Sequence, residues 1–178
     1  MKIIILLLVF AWAWSTCLSA NAEVKLPAFF SDGMVMQQQT RANLWGTATP
    51  NAPVKITTSW DKQTYKTTAD AIGAWKLALS TPSAGGPYTI TFDDGKLTEI
   101  RDILMGEFWL CSGQSNMEMP MKGFKNQPVE NSNTDVMNSR NPQLRLFTVK
   151  RTSSFTPKTD VVGTWQAAVP ATVREFSA

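Results

Sequence analysis

Histidine is absent from all 178 residues, and with it the commonest protein base, the commonest metal ligand and the usual pH switch. A complete Ser-His-Asp triad cannot be assembled from this polypeptide by itself. Cysteine is scarce, with Cys17 and Cys111 the two present. Charge is sparse too: charged residues make up 17% of the chain, and seventeen Lys and Arg against fourteen Asp and Glu leave a net +3. So small and dispersed a charge excludes a dedicated nucleic-acid binder, which carries a basic stripe. The hydrophobic fraction of 43% excludes a disordered chain. The length predicts one domain or two small ones.

The first residues read as an address. Lys2 supplies a positive start, residues 3–14 are an uninterrupted apolar run, and Ala20-Asn21-Ala22 offers the small residues that signal peptidase prefers. The run is too short to span a bilayer, which takes ~20 residues, so no membrane span is expected. A lipoprotein signal using Cys17 is the weaker alternative, because Trp14-Ser15-Thr16 lacks the aliphatic and small residues expected before a lipidated cysteine. Residues 1–22 are therefore expected to be a signal peptide and the mature protein to be exported, periplasmic or extracellular. Cleavage there leaves Cys111 as the single cysteine and no internal disulfide.

Residues 24–97 alternate short strand-like runs with turn residues. Strands are predicted over 42–46, 54–60, 63–68, 74–79 and 88–92. The clearest is Val54-Lys55-Ile56-Thr57-Thr58, of period two and rich in β-branched side chains. Pro50-Asn51-Ala52-Pro53, Gly85-Gly86-Pro87 and Asp93-Asp94-Gly95 punctuate them. Regular short strands predict an antiparallel sandwich or barrel, with Trp45, Trp60, Trp75 and Phe92 filling its interior. A sugar-binding aromatic platform is the alternative use of those rings.

After residue 100 the texture changes. Phe108-Trp109-Leu110-Cys111 is continuously apolar, as in a strand covered on both faces. A short helix over 129–138 and a second strand over 144–149 would complete one right-handed βαβ unit. The polar, asparagine-rich stretch 121–141 is expected as an exposed loop. Thr172-Val173-Arg174-Glu175 has the capping-box pattern of a helix start. A capped helix without a body, and a two-strand parallel sheet with open edges, predict a truncated α/β unit of marginal stability.

Gly113-Gln114-Ser115-Asn116 follows the apolar run directly. A serine at the carboxyl end of such a strand lies where open α/β sheets place ligands. On a sharp turn its hydroxyl is exposed and its backbone N–H faces a developing oxyanion; Gln114 and Asn116 add amide donors and acceptors. A serine nucleophile needs a base within hydrogen-bond reach, and no residue of this chain fills that role comfortably. On local chemistry alone, an ordinary strand-to-loop turn accounts for these four residues equally well.

The longer string Gly106-Glu107-Phe108-Trp109-Leu110-Cys111-Ser112-Gly113-Gln114-Ser115-Asn116-Met117-Glu118-Met119-Pro120 closely resembles the nucleophile segment of the sialate O-acetylesterase family within the SGNH hydrolases. Phe30-Ser31-Asp32-Gly33-Met34-Val35-Met36-Gln37, Trp45-Gly46-Thr47-Ala48, Gly73-Ala74-Trp75 and Ala84-Gly85-Gly86-Pro87-Tyr88 resemble the same family's accessory β domain, in the same order. Leu144-Arg145-Leu146-Phe147 and Glu175-Phe176-Ser177-Ala178 extend the resemblance to nearly the whole chain after the signal.

The resemblance implies an α+β protein. An antiparallel β-sandwich-like domain over 23–99 would precede the first part of a parallel α/β SGNH-hydrolase domain over 100–178. It implies that Ser115 is the nucleophile toward O-acetyl esters of sialic acid or another acetylated sugar, with Gln114 and Asn116 at the substrate. Neither a metal nor an organic cofactor is implied. The family's His and Asp lie in later segments with no counterpart here, so this chain alone is expected to be inactive. The competing readings are an exported, non-catalytic glycan-binding β module and an inactive truncated relative.

Overall fold

The computed structural model describes residues 23–177; the expected signal peptide lies outside them. Strands dominate and helices are few. The main sheet has the order β1-β7-β6-β3-β4, with β1 Val35–Gln37, β3 Pro53–Thr58, β4 Thr64–Thr68, β6 Gly85–Asp93 and β7 Leu97–Gly106. A second pair joins β2 Arg41–Thr47 to β5 Ala74–Ser80. All five predicted strands are present. β3 shows why: Val54, Ile56 and Thr58 are buried while Pro53, Lys55 and Thr57 face water, the period of two its sequence carries.

Leu44, Trp75 and Leu79 of the β2–β5 pair share one core with Val54, Ile56, Ile90, Phe92, Ile100 and Ile103 of the larger sheet. Trp75 and Phe92 are buried, as expected. Trp45 and Trp60 are only half-buried, and their indole N–H groups donate to the carbonyls of Thr159 (3.0 Å) and Ser80 (3.2 Å). An indole with a polar edge settles at the margin of a core, where that edge finds a partner.

The sheet is mixed rather than purely antiparallel, because β1 runs parallel to β7, with Val35 opposite Leu104 and Gln37 opposite Gly106. β7 continues unbroken through residue 100. It carries one extra residue against β6: Ile90 lies opposite Ile100 but Tyr88 lies opposite Ile103. Asp102 takes the left-handed backbone (φ 56°) at this bulge, a conformation that Asp tolerates better than most residues. The bulge is held from outside, by Arg101 N donating to Asp32 Oδ1 (2.7 Å) and Gly33 N donating to Arg101 O (3.1 Å).

Three expectations for the second half are corrected. Phe108-Trp109-Leu110-Cys111 forms no strand, and Trp109 and Leu110 are 81% and 82% exposed. An apolar run becomes a strand only where a neighbour takes its backbone groups, and among the described residues none flanks it. The predicted second strand starts earlier, as β8 Asn141–Phe147, and pairs antiparallel with β9 Trp165–Ala168. The parallel βαβ unit is thus absent among the described residues, although the helix between exists as α1 Ser132–Met137. Thr172 is not the N-cap with Glu175 as its partner: it is the third residue of α2 Pro170–Val173, where its Oγ1 caps the start by accepting from Val169 N (3.1 Å), and Glu175 instead pairs with Lys122.

The second half is seated on the first by aromatic packing. Trp165 donates from Nε1 to Phe29 O (2.8 Å), and Phe29 packs against Phe30, Phe108, Phe147 and Trp165 with ring centroids 5.5–5.7 Å apart. Ala28 N donates to Asp160 Oδ1 (2.8 Å).

Candidate active site

Beyond Gly106 the chain runs without regular structure to a single 3₁₀ turn, Ser115–Glu118, closed by Met117 N donating to Gln114 O (2.9 Å). Ser115, Gln114 and Asn116 are all exposed on it. The expected exposed, sharp turn is therefore present, at the end of an irregular segment rather than of a buried strand. Gly113 lets Met117 pack close: a Cβ there would stand 2.6 Å from Met117 Cγ, so any other residue would make the Met117 side chain move.

Glu118, the acid nearest in sequence to Ser115, ends the turn and forms an ion pair with Arg151. The pair is solvent-exposed and engages only Oε1; an ionised carboxylate is in any case a weak base toward a serine hydroxyl. Among the described residues there is no group of three or more Cys, Asp or Glu able to hold a metal ion, and no helix long and apolar enough to cross a membrane.

A groove of about 1400 Å³ opens beside the turn, with Trp45, Phe108, Trp109, Leu110, Phe147 and Trp165 among its walls. Met117 and Glu118 reach it, but Gln114, Ser115 and Asn116 do not line it. The structure thus keeps the three predicted residues together while leaving them outside the lining of this groove. Arg145, Asp102, Gln37 and Glu107 form hydrogen-bonded links that a strand-by-strand reading misses, because their partners lie 43 to 71 positions away.

No family model matches the chain. Curated relatives do. Over 154 residues the chain is 30% identical to a sialate O-acetylesterase of Pongo abelii, a match covering 81% of this chain and 29% of that protein. Over 126 residues it is 32% identical to the sialate O-acetylesterase of Homo sapiens, covering 65% of this chain and 24% of the relative. Among solved structures, a carbohydrate acetylesterase from Xanthomonas citri superposes with a TM-score of 0.79 at 34% identity, over 88% of this chain and 35% of that one. The chain therefore spans less than a third of the length of these curated relatives. With sequence identity and fold agreeing over most of its length, this chain belongs to the sialate O-acetylesterase family.

Proposed function

We propose that the chain carries the nucleophile of a carbohydrate O-acetylesterase and that Ser115 is that nucleophile. The observation that supports this most is the likeness to acetylesterases in both sequence and fold. In this reading Ser115 Oγ attacks the ester carbonyl carbon and its backbone N–H steadies the developing oxyanion. The sugar hydroxyl then leaves with a proton, and water hydrolyses the acetyl-serine. Gln114 and Asn116, exposed on either side, hydrogen-bond the sugar. Sialic acid or another O-acetylated glycan is the substrate class, and the protein acts after export, since Lys2, the apolar run and Ala20-Asn21-Ala22 make a cleavable signal.

The base is the missing element. With no histidine in the sequence and carboxylates weak bases toward a serine hydroxyl, this reading takes the His that accepts the Ser115 proton, and its supporting Asp, from polypeptide outside this sequence.

Acetate release from p-nitrophenyl acetate and from an O-acetylated sugar tests both parts. The chain and its Ser115→Ala variant are expected at background. Residues 23–177 exchanged into the matching segment of the Xanthomonas citri acetylesterase are expected to support turnover, which Ser115→Ala lowers by ~10³-fold or more. Ser115-dependent turnover by the chain alone would overturn the argument from the absent base. A chimera unaffected by Ser115→Ala would overturn the nucleophile.

A further inference from the structure

Three strings that the sequence reading set side by side, ending at Gln37, starting at Ala84 and starting at Gly106, converge on one point of the fold. Gln37 Nε2 donates to Glu107 Oε2 (3.1 Å), and Gln37 Oε1 accepts the Phe108 N–H (2.9 Å). Gln38 Nε2 donates to Glu107 Oε1 (2.8 Å), Gln38 N donates to Gly106 O (2.9 Å), and Gln38 Oε1 accepts from Ala84 N (2.7 Å). Each Glu107 oxygen thus has its own amide donor. Donation from Gln38 and then Gln37 holds the Glu107 carboxyl below the usual glutamate range.

We propose that Gln37 and Gln38 are positioning residues that grip Glu107 and Phe108 and so fix the direction in which the serine segment leaves the sheet. The inference rests on the reading of Ser115 as nucleophile. Its physical basis is leverage. Gln37 lies at the end of β1, where the parallel pairing with β7 finishes opposite Gly106. Beyond Phe108 the chain lies in no strand or helix until Ser115. An extended run of seven residues reaches ~23 Å, so a change of ~10° at its root displaces the serine by up to ~4 Å. A shift of about 1 Å is already costly to a reaction that needs aligned atoms. The primary amide suits the role because its head both donates and accepts: one Gln37 side chain holds the carboxylate of residue 107 and the backbone N–H of residue 108 together.

The full chain tests this without any turnover. With Cys17→Ser introduced, a spin label on the exposed Cys111 reports mobility four positions beyond Glu107, and amide hydrogen exchange reports on Phe108. Gln37→Leu, similar in size but without the amide, is expected to speed Phe108 exchange at least tenfold and to increase label mobility. The amides of Ile56, Ile90 and Phe92 should exchange at their original rates. Glu107→Gln, which keeps one acceptor oxygen, is expected to fall between. Unchanged Phe108 exchange, or an unchanged label, overturns the proposal. Equal acceleration in the core overturns it as well, since the amide would then be supporting the fold at large. None of these readouts depends on catalysis, so their failure leaves the assignment of Ser115 standing, and its failure leaves them interpretable.

Discussion

Arg145 and Asp102 meet in a two-pronged ion pair, Nη1 to Oδ2 at 2.7 Å and Nη2 to Oδ1 at 3.1 Å. The bulge in β7 makes the meeting possible by turning the Asp102 side chain away from the regular alternation of its strand. Arg145 also donates from Nη1 to Gly33 O (3.4 Å) and from Nε to Pro142 O (3.0 Å) within its own strand, so through Asp102 and Gly33 a guanidinium whose side chain is only 10% exposed ties β8 to the first half of the chain.

The pair makes stability fall with acid. Hydrogen bonding to Arg145 holds the Asp102 carboxyl below the usual carboxylate range, against some desolvation. Its stabilising contribution is therefore present above the unfolded value of ~4 and is lost as pH falls through the lower, folded value. Asp102 is half exposed, which screens the interaction, but its loss leaves a nearly buried guanidinium unpaired. Asp102→Asn is expected to cost about 1–2 kcal/mol at pH 7, read as a Tm lower by roughly 2–8 °C. The gap between the two proteins should narrow from pH 5 downward. A gap that is constant with pH would show that the charge is not responsible.

Gly73 is fixed for two independent reasons. Its backbone is left-handed (φ 85°), and a Cβ would stand 2.5 Å from the carbonyl oxygen of Ala48, a backbone atom with little freedom to move. Gly73→Ala is expected to destabilise by about 1–3 kcal/mol in thermal melts. Gly95→Ala provides the control, with a left-handed φ of 111° but open space around the Cβ. Equal effects would assign the whole cost at Gly73 to its backbone conformation.

Trp109 and Leu110 separate a core strand from an exposed segment. Buried, either would cost several kcal/mol on truncation; exposed as found here, Trp109→Ser and Leu110→Ser are each expected to change stability by less than about 0.5 kcal/mol. The fluorescence of Trp109 should be that of a hydrated indole, open to collisional quenchers. A loss above 2 kcal/mol for either variant would restore the buried strand.

The first half was legible because its information is local. Val54, Ile56 and Thr58 alternate with polar neighbours, and turn residues sit between strands, so each strand is readable within its own few residues. The bulge was not legible, since Ile103 opposite Tyr88 is a property of two strands and Asp102 acquires a purpose only from Arg145. Phe108-Trp109-Leu110-Cys111 misled because apolar character is needed for a buried strand but does not provide the neighbouring strand. The exposed turn at Ser115 was readable from its small and polar residues. The network at Glu107 was invisible, because Gln37 and Gln38 look like ordinary polar ends of a strand until the chain folds.

Ser115→Ala separates chemistry from stability. The hydroxyl lies on an exposed turn whose closing hydrogen bond runs from Met117 N to Gln114 O and does not involve the side chain. Removing it should leave the Tm within about 2 °C, the shift that ~0.5 kcal/mol produces in a chain of this size. Met117 offers the contrast, since it folds over Gly113 and helps hold the turn. Met117→Ala is expected to accelerate amide exchange in the turn while leaving the melting of the sheets unchanged. If Ser115→Ala lowered the Tm by more than about 5 °C, the hydroxyl would be supporting the turn itself, and any loss of turnover in that variant would cease to be evidence for a nucleophile.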